Sequence, residues 1–464
     1  MQTIHSSLFY YIIISFFTKV FLLLAKTISF SFKDSCGISE SQILSYGKKL
    51  RTEIRNISKA SKSGFDTDYA SINLPSDKKI LEAVERAVSE KKKLKPAILV
   101  VVGIGGSNLG TIAVHHAVNG VNYNESDPKL KVYFADTVDS DNISSILAIC
   151  EKALKSGQNI LVNAVTKSGS TMETVANLEV FVKLLKKYKK KDYARHVVAT
   201  TGRRSKLWDY SIGRNLTLLE VPENVGGRYS VFSPVGLFPL AMLGVKVKNL
   251  LAGAASMIKP CASQNILKNP AALSAILLYK HSTSGKNIND NFIFSHDLES
   301  FGMWYRQLMG ESIGKEKDRR GRKINAGITP TVSIGSTDLH SMAQLYLAGP
   351  YDKYTAFLRV GATREKVVLP KKGEFENLAP QVEGKSFTQL MDAVLSGVQA
   401  SFRKNRRPYA EIILPEKTEY YVGQLMQMKM IEMMYLAHLL NVNPFDQPKV
   451  ESYKLEARRL LAKN

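Results

Sequence analysis

Residues 97–110 read AILVVVGIGGSNLG, an unbroken apolar run that stops at Gly103 and continues into a glycine-rich loop. A short apolar run rich in valine and isoleucine is typical of a strand that is buried on both faces. Similar runs follow it, separated by amphipathic stretches: Val132–Ala135, Asn159–Val165, His196–Thr200 and Leu216–Val221. Short buried strands that alternate with helices predict a parallel sheet covered by helices on both faces.

The second half of the chain repeats this arrangement. Residues 246–287 look helical, as do 39–94 near the start and Gly423–Leu440 near the end. We predict core packing for the methionines of the last segment. The strand-like runs of this half are Asn291–Ser295, Thr355–Val360, Val367–Leu369 and Ala410–Leu414. The whole pattern predicts an α/β protein with two doubly wound αβα sandwiches in tandem, a helical N-terminal part and a C-terminal arm.

The composition excludes several classes of protein. The chain has 464 residues, 44% of them hydrophobic, which is too apolar for a disordered chain and enough for a large core. Lys and Arg outnumber Asp and Glu by 64 to 41, but the basic runs are short and dispersed, so we interpret them as solvated surface and expect no nucleic-acid partner. A positive field of this kind attracts small anions, phosphorylated metabolites included.

The three cysteines lie far apart in the sequence, at Cys36, Cys150 and Cys261. Their odd number and the lack of a CxxC pair argue against a disulfide framework and against a zinc site. The sequence therefore favours a reducing compartment, and we expect no metal.

The N-terminal segment, residues 1–38, is atypical. Leu8–Ala25 is strongly apolar, but Met1–Ser7 has no Lys or Arg and Lys19 interrupts the run, so it fits neither a signal peptide nor a spanning helix. We expect a cytoplasmic protein without a membrane partner, with membrane association as the alternative. The alternation of apolar and serine residues over 28–32 predicts a strand.

The glycine-rich loop after the first strand offers backbone N–H groups to a ligand. It is not a GxGxxG fingerprint, because Asn108 stands where the third glycine belongs, and it is not a Walker A loop, because Thr111 and Ile112 follow Gly110. The alternative is a tight strand-to-helix turn without a ligand.

A second loop, TKSGSTMET at 166–174, follows Asn159–Val165 and packs hydroxyl groups and a lysine into one strand-to-helix turn. Hydroxyls and N–H groups at a helix N-terminus suit a phosphate monoester. The alternative is an ordinary helix cap in a Ser/Thr-rich turn. Because ligands of parallel α/β folds bind beyond the carboxyl ends of the strands, the two loops together favour a phosphate site.

Four charged residues elsewhere are candidates for chemistry. Arg228 follows paired glycines, and Glu311 follows an apolar stretch that could desolvate its carboxylate. His340 lies in a polar loop, and Lys454 lies on a basic helix. Each has a plain structural alternative: a surface turn, a helix-end Glu, a satisfied structural His and a solvated Lys.

Taken together, these segments resemble the glucose-6-phosphate isomerase family, aldose–ketose isomerases of the sugar-isomerase (SIS) fold. The resemblance runs from about Ala97 to Lys454. Six motifs carry it in the family's order: GIGGSNLG, TKSGSTMET, ENVGGRYSVFSPVGL, GESIGK, STDLHSMAQ and NPFDQPKVESYK. The apolar run Leu8–Ala25 and the basic insert EKDRRGR after Lys315 depart from the family's pattern.

The resemblance implies a division of the chain into a helical segment at 39–94, a first SIS subdomain at 95–245, a helical connector at 246–287, a second SIS subdomain at 288–440 and an arm at 441–464. It also implies a homodimer in which the histidine reaches the partner's site. The implied reaction interconverts glucose 6-phosphate and fructose 6-phosphate without a cofactor. A non-catalytic phosphosugar-binding SIS protein is the alternative function.

The resemblance further implies roles for single residues. Glu311 is the implied base, His340 and Lys454 the ring-opening groups, and Arg228 the cation beside the enediol. The implied substrate-binding residues are Gly106, Ser107, Lys167, Ser168, Ser170, Thr171, Thr174, Gln307 and Gln447.

Overall fold

A computed structural model describes residues 27–375 and 377–462 of the chain. The run Leu8–Ala25 lies outside the described residues. Within the described ranges, no helix combines the length and the apolarity that crossing a membrane requires.

The strands and helices alternate through most of the chain. The strands are β1 (Ser29–Ser31), β2 (Pro96–Val102), β3 (Lys131–Ala135), β4 (Asn159–Thr166), β5 (Val197–Thr201), β6 (Thr217–Glu220), β7 (Ile288–Phe294), β8 (Lys315–Lys317), β9 (Lys323–Ala326), β10 (Thr329–Ile334), β11 (Lys353–Ala362) and β12 (Tyr409–Glu416). The α-helices are α1 (Glu40–Lys49), α2 (Arg51–Ala60), α3 (Lys78–Lys92), α4 (Leu109–Asn119), α5 (Ser140–Lys155), α6 (Met172–Lys189), α7 (Lys206–Ile212), α8 (Pro234–Met242), α9 (Val247–Cys261), α10 (Pro270–Thr283), α11 (Glu299–Ile313), α12 (Ala343–Ala348), α13 (Phe387–Lys404), α14 (Glu419–Leu440) and α15 (Val450–Leu461).

The first sheet has the order β3-β2-β4-β5-β6, and every neighbouring pair in it is parallel. Residues 98–102 of β2 and 160–166 of β4 are all buried, as expected of central strands with helices on both faces. The strands predicted from the apolar runs of the first half are confirmed. Since parallel strands share a direction, the loops that leave β2, β4 and β5 emerge at one edge of the sheet.

The second sheet has the order β1-β12-β11-β7-β10. All its pairs are parallel except the outermost, in which β1 runs antiparallel to β12. The strand predicted near residue 30 is thus confirmed, and it pairs with a strand nearly 400 residues later in the chain. The fold class predicted from the sequence, α/β with two doubly wound sheets, is confirmed.

One strand prediction is wrong. Val367–Leu369 makes only an isolated bridge from Val368 to Ser386, and the side chains of both valines are about half exposed. The outer strand is β10 instead, whose sequence TPTVSI is too polar to resemble a buried strand. An edge strand pairs on one side only, so its backbone needs less apolar cover than a central strand does.

Helix α14 forms the centre of the protein. All its residues from Val422 to Ala437 are buried, and it packs against α9, α10 and α11. Its methionines lie in the core, as predicted. A buried ion pair joins Lys429 and Glu432 at 2.7 Å. The hydroxyl of Tyr305 donates to the same carboxylate, which supplies a hydrogen bond that a buried charge needs.

His281 on α10 is a buried histidine that the fold keeps neutral. One ring nitrogen lies 2.9 Å from the carbonyl oxygen of Cys36, and the ring stacks on Tyr354. Burial lowers the pKa of His281 from 6.5 to about 4. Between these two pH values the unfolded chain takes up a proton that the folded chain refuses, so stability is lost as the pH falls through that window.

We therefore expect His281→Gln to reduce the acid sensitivity of the fold. Between pH 7 and pH 4 the wild type should lose up to about 3 kcal/mol more of its free energy of unfolding than the variant does. Urea denaturation at a series of pH values measures this difference. His296→Gln, a change at an exposed side chain, is the matched control. Equal pH slopes for wild type and His281→Gln would contradict the expectation.

Candidate active site

A cavity of about 900 Å³ lies at the carboxyl edge of the first sheet. The loops after β2, β4 and β5 form one wall, and α11 and the C-terminal arm form the other. All the site residues predicted from the sequence line it except Thr174 and His340: Gly106, Ser107, Lys167, Ser168, Ser170, Thr171, Arg228, Gln307, Glu311, Gln447 and Lys454.

The glycine-rich loop after β2 brings two parts of the chain into contact. A Cβ atom on Gly106 would lie 2.2 Å from the carbonyl carbon of Gly227 and 2.6 Å from the amide nitrogen of Arg228. Gly105 has a positive φ of 59°, and a Cβ there would meet the side-chain amide of Gln307 at 2.9 Å. Two glycines therefore allow the loop to touch the backbone that carries Arg228 and the helix that carries Glu311.

The hydroxyl-rich loop after β4 leads directly into α6. The Thr171 hydroxyl lies 2.9 Å from that of Thr166 and 3.3 Å from that of Ser168. Thr171 is the N-cap residue, but its side chain makes no capping hydrogen bond to α6. The first N–H groups of the helix therefore have no side-chain cap, and they begin at Met172, which lines the cavity. Uncapped N–H groups beside hydroxyls are chemically suited to a phosphate group.

Lys167 adds positive charge to this loop. The residue is exposed, but nearby protein displaces part of the water around its ammonium group. This desolvation lowers the pKa of Lys167, and the charge of Glu223 opposes the effect. Thr174 is the third residue of α6, where it is buried and its hydroxyl has no hydrogen-bond partner. It stands behind the cavity wall, and its role as a phosphate donor stays a prediction.

A third loop, residues 202–205 after β5, also lines the cavity, and sequence reasoning missed it. The N–H of Gly202 donates to the carbonyl of Lys167 at 3.1 Å, and the Thr201 hydroxyl donates to the carbonyl of Thr166 at 2.6 Å. The loop therefore braces the hydroxyl-rich loop and adds Arg203 and Arg204 to the cavity wall. The sequence did contain a signal for this loop, because ligands of parallel α/β folds bind beyond the carboxyl ends of the strands and His196–Thr200 was predicted to be such a strand.

Arg228 and Glu311 form the charged centre of the cavity. They are joined by a salt bridge of 3.1 Å, in which the arginine side chain is fully buried and that of Glu311 is 28% exposed. The side-chain amide of Gln307, one helical turn before Glu311, donates to its other oxygen at 3.0 Å. One carboxylate is thus oriented by two donors while part of it faces the cavity.

The guanidinium of Arg228 also holds the C-terminal arm. Arginine has five N–H donors, and each of them has an acceptor here. The acceptors are the side chains of Glu311, Ser312 and Gln447 and the main-chain oxygens of Pro444 and Asp446. The arm therefore reaches the cavity by bonding to the same cation that bonds to Glu311.

Lys315 is a second buried cation at this junction. Its ammonium donates to the carbonyl of Glu311 at 2.8 Å and forms an ion pair with Asp446 at 2.9 Å. Burial lowers the pKa of Lys315, and Asp446 opposes that effect. Beyond this junction, α15 carries Lys454 along the cavity, where its ammonium bonds to Glu451 at 2.8 Å. Within Val450–Leu461 no side chain is buried.

His340 does not line this cavity. It is exposed on the loop that joins β10, an outer strand of the second sheet, to α12. The structure therefore brings together Arg228, Glu311 and Lys454 but leaves His340 apart from them.

The fold is that of an α/β protein with two doubly wound sheets, and its cavity contains a hydroxyl-rich helix N-terminus and a carboxylate–guanidinium pair. A sequence model of the phosphoglucose isomerase family matches residues 78–464, most of the chain. The chain belongs to this family.

Named relatives agree with this assignment. A glucose-6-phosphate isomerase of Carboxydothermus hydrogenoformans is 34% identical over 92% of this chain and 91% of its own length. One from Methanocaldococcus jannaschii is 34% identical over 78% of this chain and 84% of its own length. The crystal structure of a glucose-6-phosphate isomerase from Chlamydia trachomatis shares the fold, with a TM-score of 0.81 at 22% identity, over 94% of this chain and 89% of that one.

The contact at Gly106 yields a matched pair of variants. Gly106→Ala would force backbone apart, so we expect it to displace Arg228 and to lower the free energy of unfolding by about 1–3 kcal/mol. Gly227→Ala is the control on the other side of the contact, because its Cβ would meet nothing closer than 3.6 Å. Urea denaturation of both proteins measures the effect. Equal free energies of unfolding for Gly106→Ala and Gly227→Ala would contradict a close backbone contact between Gly106 and Gly227.

Proposed function

We propose that this chain interconverts glucose 6-phosphate and fructose 6-phosphate by moving a proton between C2 and C1. The observation that carries the proposal is the pairing of Glu311 with Arg228 across the cavity from the hydroxyl-rich loop. The reaction moves hydrogen within one molecule, so no electrons leave the substrate and no redox cofactor is required. The membership in the phosphoglucose isomerase family supports the same reaction.

The phosphate group of the substrate binds between the loops after β2 and β4. Its donors are the hydroxyls of Ser168, Ser170 and Thr171, the residue Ser107 and the first N–H groups of α6. Lys167 contributes charge. The phosphate takes no part in bond making, but its binding energy holds C1 and C2 of the sugar against Glu311.

Glu311 is the base that takes the C2 proton and returns it to C1. Its orientation supports this role, because Gln307 and Arg228 each hold one of its oxygens while the group stays partly open to the cavity. A carboxylate that is held by hydrogen bonds needs little reorganisation before proton transfer. Gln447, which contacts Arg228, stands on the substrate side of the same centre.

Arg228 stabilises the cis-enediol intermediate. Negative charge builds on oxygen as the C2 proton leaves, and a fixed cation next to that oxygen lowers the barrier. Five hydrogen bonds hold the guanidinium in place, so it is already oriented before the charge develops. This is the arrangement in which electrostatic stabilisation is most effective.

Ring opening must precede proton transfer, because both sugars are mostly cyclic. It requires a proton at the ring oxygen and a base for the C1 hydroxyl. We assign these tasks to His340 and Lys454. Since His340 lies outside the cavity of its own subunit, it acts in the cavity of a second copy, in a homodimer with shared sites.

Exposed apolar side chains of the second subdomain support the dimer. Leu345, close to His340, is 42% exposed, and Val367, Val368, Phe375 and Leu378 are between 50% and 82% exposed. Apolar side chains that are exposed in a single chain lose contact with water when two copies associate through them. A cytoplasmic location completes the proposal, since the three cysteines of the chain are free and buried.

A phosphosugar sensor of the same fold would use the phosphate loops without proton transfer. It would gain nothing from a buried cation that orients a carboxylate toward the bound sugar, and burial of an arginine without function would cost stability. The cavity therefore fits an isomerase better than a phosphosugar sensor. A coupled assay with fructose 6-phosphate, without added metal or nucleotide, decides between the two.

Glu311→Gln should lower kcat by a factor on the order of 10²–10⁴ while substrate binding is largely retained, because the amide keeps the shape of the carboxylate but cannot accept the proton. The coupled assay measures kcat, and calorimetry with fructose 6-phosphate measures binding. Glu299→Gln, on the same helix and outside the cavity, is the matched control and should retain wild-type activity. A wild-type rate for Glu311→Gln would remove Glu311 from its role.

A mixed dimer tests whether His340 acts in the partner's cavity. Glu311→Gln and His340→Ala protomers with different tags are combined, and the heterodimer is purified. If His340 acts in trans, one of the two sites in the heterodimer is intact, so it should show about half of the wild-type activity. If His340 acts in its own subunit, both sites are damaged and the heterodimer should be no more active than the two parent variants.

A further inference from the structure

A buried carboxyl group lies beneath the loop that carries His340. Asp290, on β7 in the interior of the second sheet, has no exposed surface. Its oxygen Oδ1 accepts hydrogen bonds from the hydroxyls of Thr331 at 2.7 Å, Ser333 at 2.9 Å and Tyr346 at 3.2 Å. None of the steps assigned above uses this cluster.

The partners of Asp290 stand on both sides of His340 in the sequence. Ser333 is near the end of β10, just before the loop, and Tyr346 is on α12, just after it. Their hydroxyls also lie 2.7 Å from each other. Tyr346 is the one buried residue of α12. Its side chain therefore attaches that helix to the sheet, and its hydroxyl group makes the hydrogen bonds of this attachment.

The loop between these two points is short and internally bonded. The carboxylate of Asp338 accepts from the N–H of Ile334 at 2.7 Å and from the hydroxyl of Ser341 at 2.7 Å. These bonds tie the loop to itself. The backbone at its first end is held by β10, which pairs with β7 as far as Ile334, and a side chain near each end, Ser333 and Tyr346, is hydrogen-bonded to Asp290.

The hydrogen bonds of Asp290 are unusual for a contact that only stabilises the fold, because they surround a buried carboxyl group. The second oxygen of Asp290, Oδ2, has no hydrogen-bond partner, and burial raises the pKa of Asp290 against the effect of the three hydroxyls. Apolar side chains would fill such a space at a lower cost in stability. What the hydrogen bonds add is direction, because they hold three hydroxyls at defined positions around one atom.

We propose that Asp290 is a positioning residue for ring opening, which acts through Ser333 and Tyr346 to hold the His340 loop where the imidazole can enter the partner's cavity. This inference rests on the proposed function, since it assumes that His340 opens the sugar ring. Asp290 itself touches no substrate.

Tyr346→Phe tests the proposal with the loss of one hydroxyl. We expect the rate with cyclic glucose 6-phosphate to fall on the order of tenfold, while proton exchange on an open-chain analogue that cannot cyclise stays near the wild-type value. Asp290→Asn should also lower the ratio of the rate with cyclic glucose 6-phosphate to the rate of proton exchange on the open-chain analogue. Tyr354→Phe is the matched control, because this tyrosine on neighbouring β11 is also buried and its hydroxyl has no partner.

Hydrogen–deuterium exchange provides a second readout that does not depend on activity. Amides of residues 335–342 should exchange faster in Tyr346→Phe than in Tyr354→Phe. The proposal would be overturned if the active Tyr346→Phe enzyme kept the wild-type ratio of the rate with cyclic sugar to the rate with the open-chain analogue. Equal hydrogen–deuterium exchange of residues 335–342 in Tyr346→Phe and Tyr354→Phe would also overturn it. If the wild type itself does not turn over the sugar phosphate, the proposed function fails separately, and faster exchange would still support the anchoring of the loop.

Discussion

The guanidinium of Arg228 is a full positive charge without exposed surface, and the architecture around the cavity satisfies it. A buried charge is stable only when every donor has an acceptor. The acceptors come from two parts of the chain that are distant in sequence, helix α11 and the C-terminal arm. Removal of either would leave buried donors unpaired, so the charge makes the loop of Arg228, α11 and the arm depend on one another.

This dependence explains how the cavity acquires its shape. The loop that carries Arg228 must lie against the glycine-rich loop, and the contact is close enough that only glycine fits at position 106. The glycine-rich loop follows β2, at the same sheet edge as the hydroxyl-rich loop after β4. The distance between the hydroxyl-rich loop and Glu311 is therefore set by packing of the backbone, which is stiffer than contacts between side chains.

Much of the site could be predicted from the sequence because its chemistry is local. The loops after β2 and β4 are each one continuous segment that follows an apolar strand, so the sequence shows which residues each loop brings to the cavity. The motif GESIGK made Glu311 a candidate, and the structure places its side chain at the cavity, where it pairs with Arg228. The strand Val367–Leu369 was a wrong prediction because apolar residues also occur on exposed surfaces, and β10 was missed because an edge strand needs few of them.

The amino-acid sequence by itself determined the α/β class, the two sets of strands and the identity of the loops that follow them, since each of these depends on neighbours within about ten residues. Only the tertiary structure decided that Arg228 bonds to the arm more than 200 residues later, that Lys315 is buried against Asp446, and that His340 lies outside its own cavity. These contacts join residues that are remote in sequence, and they form because buried charges must find partners wherever the folded chain supplies them.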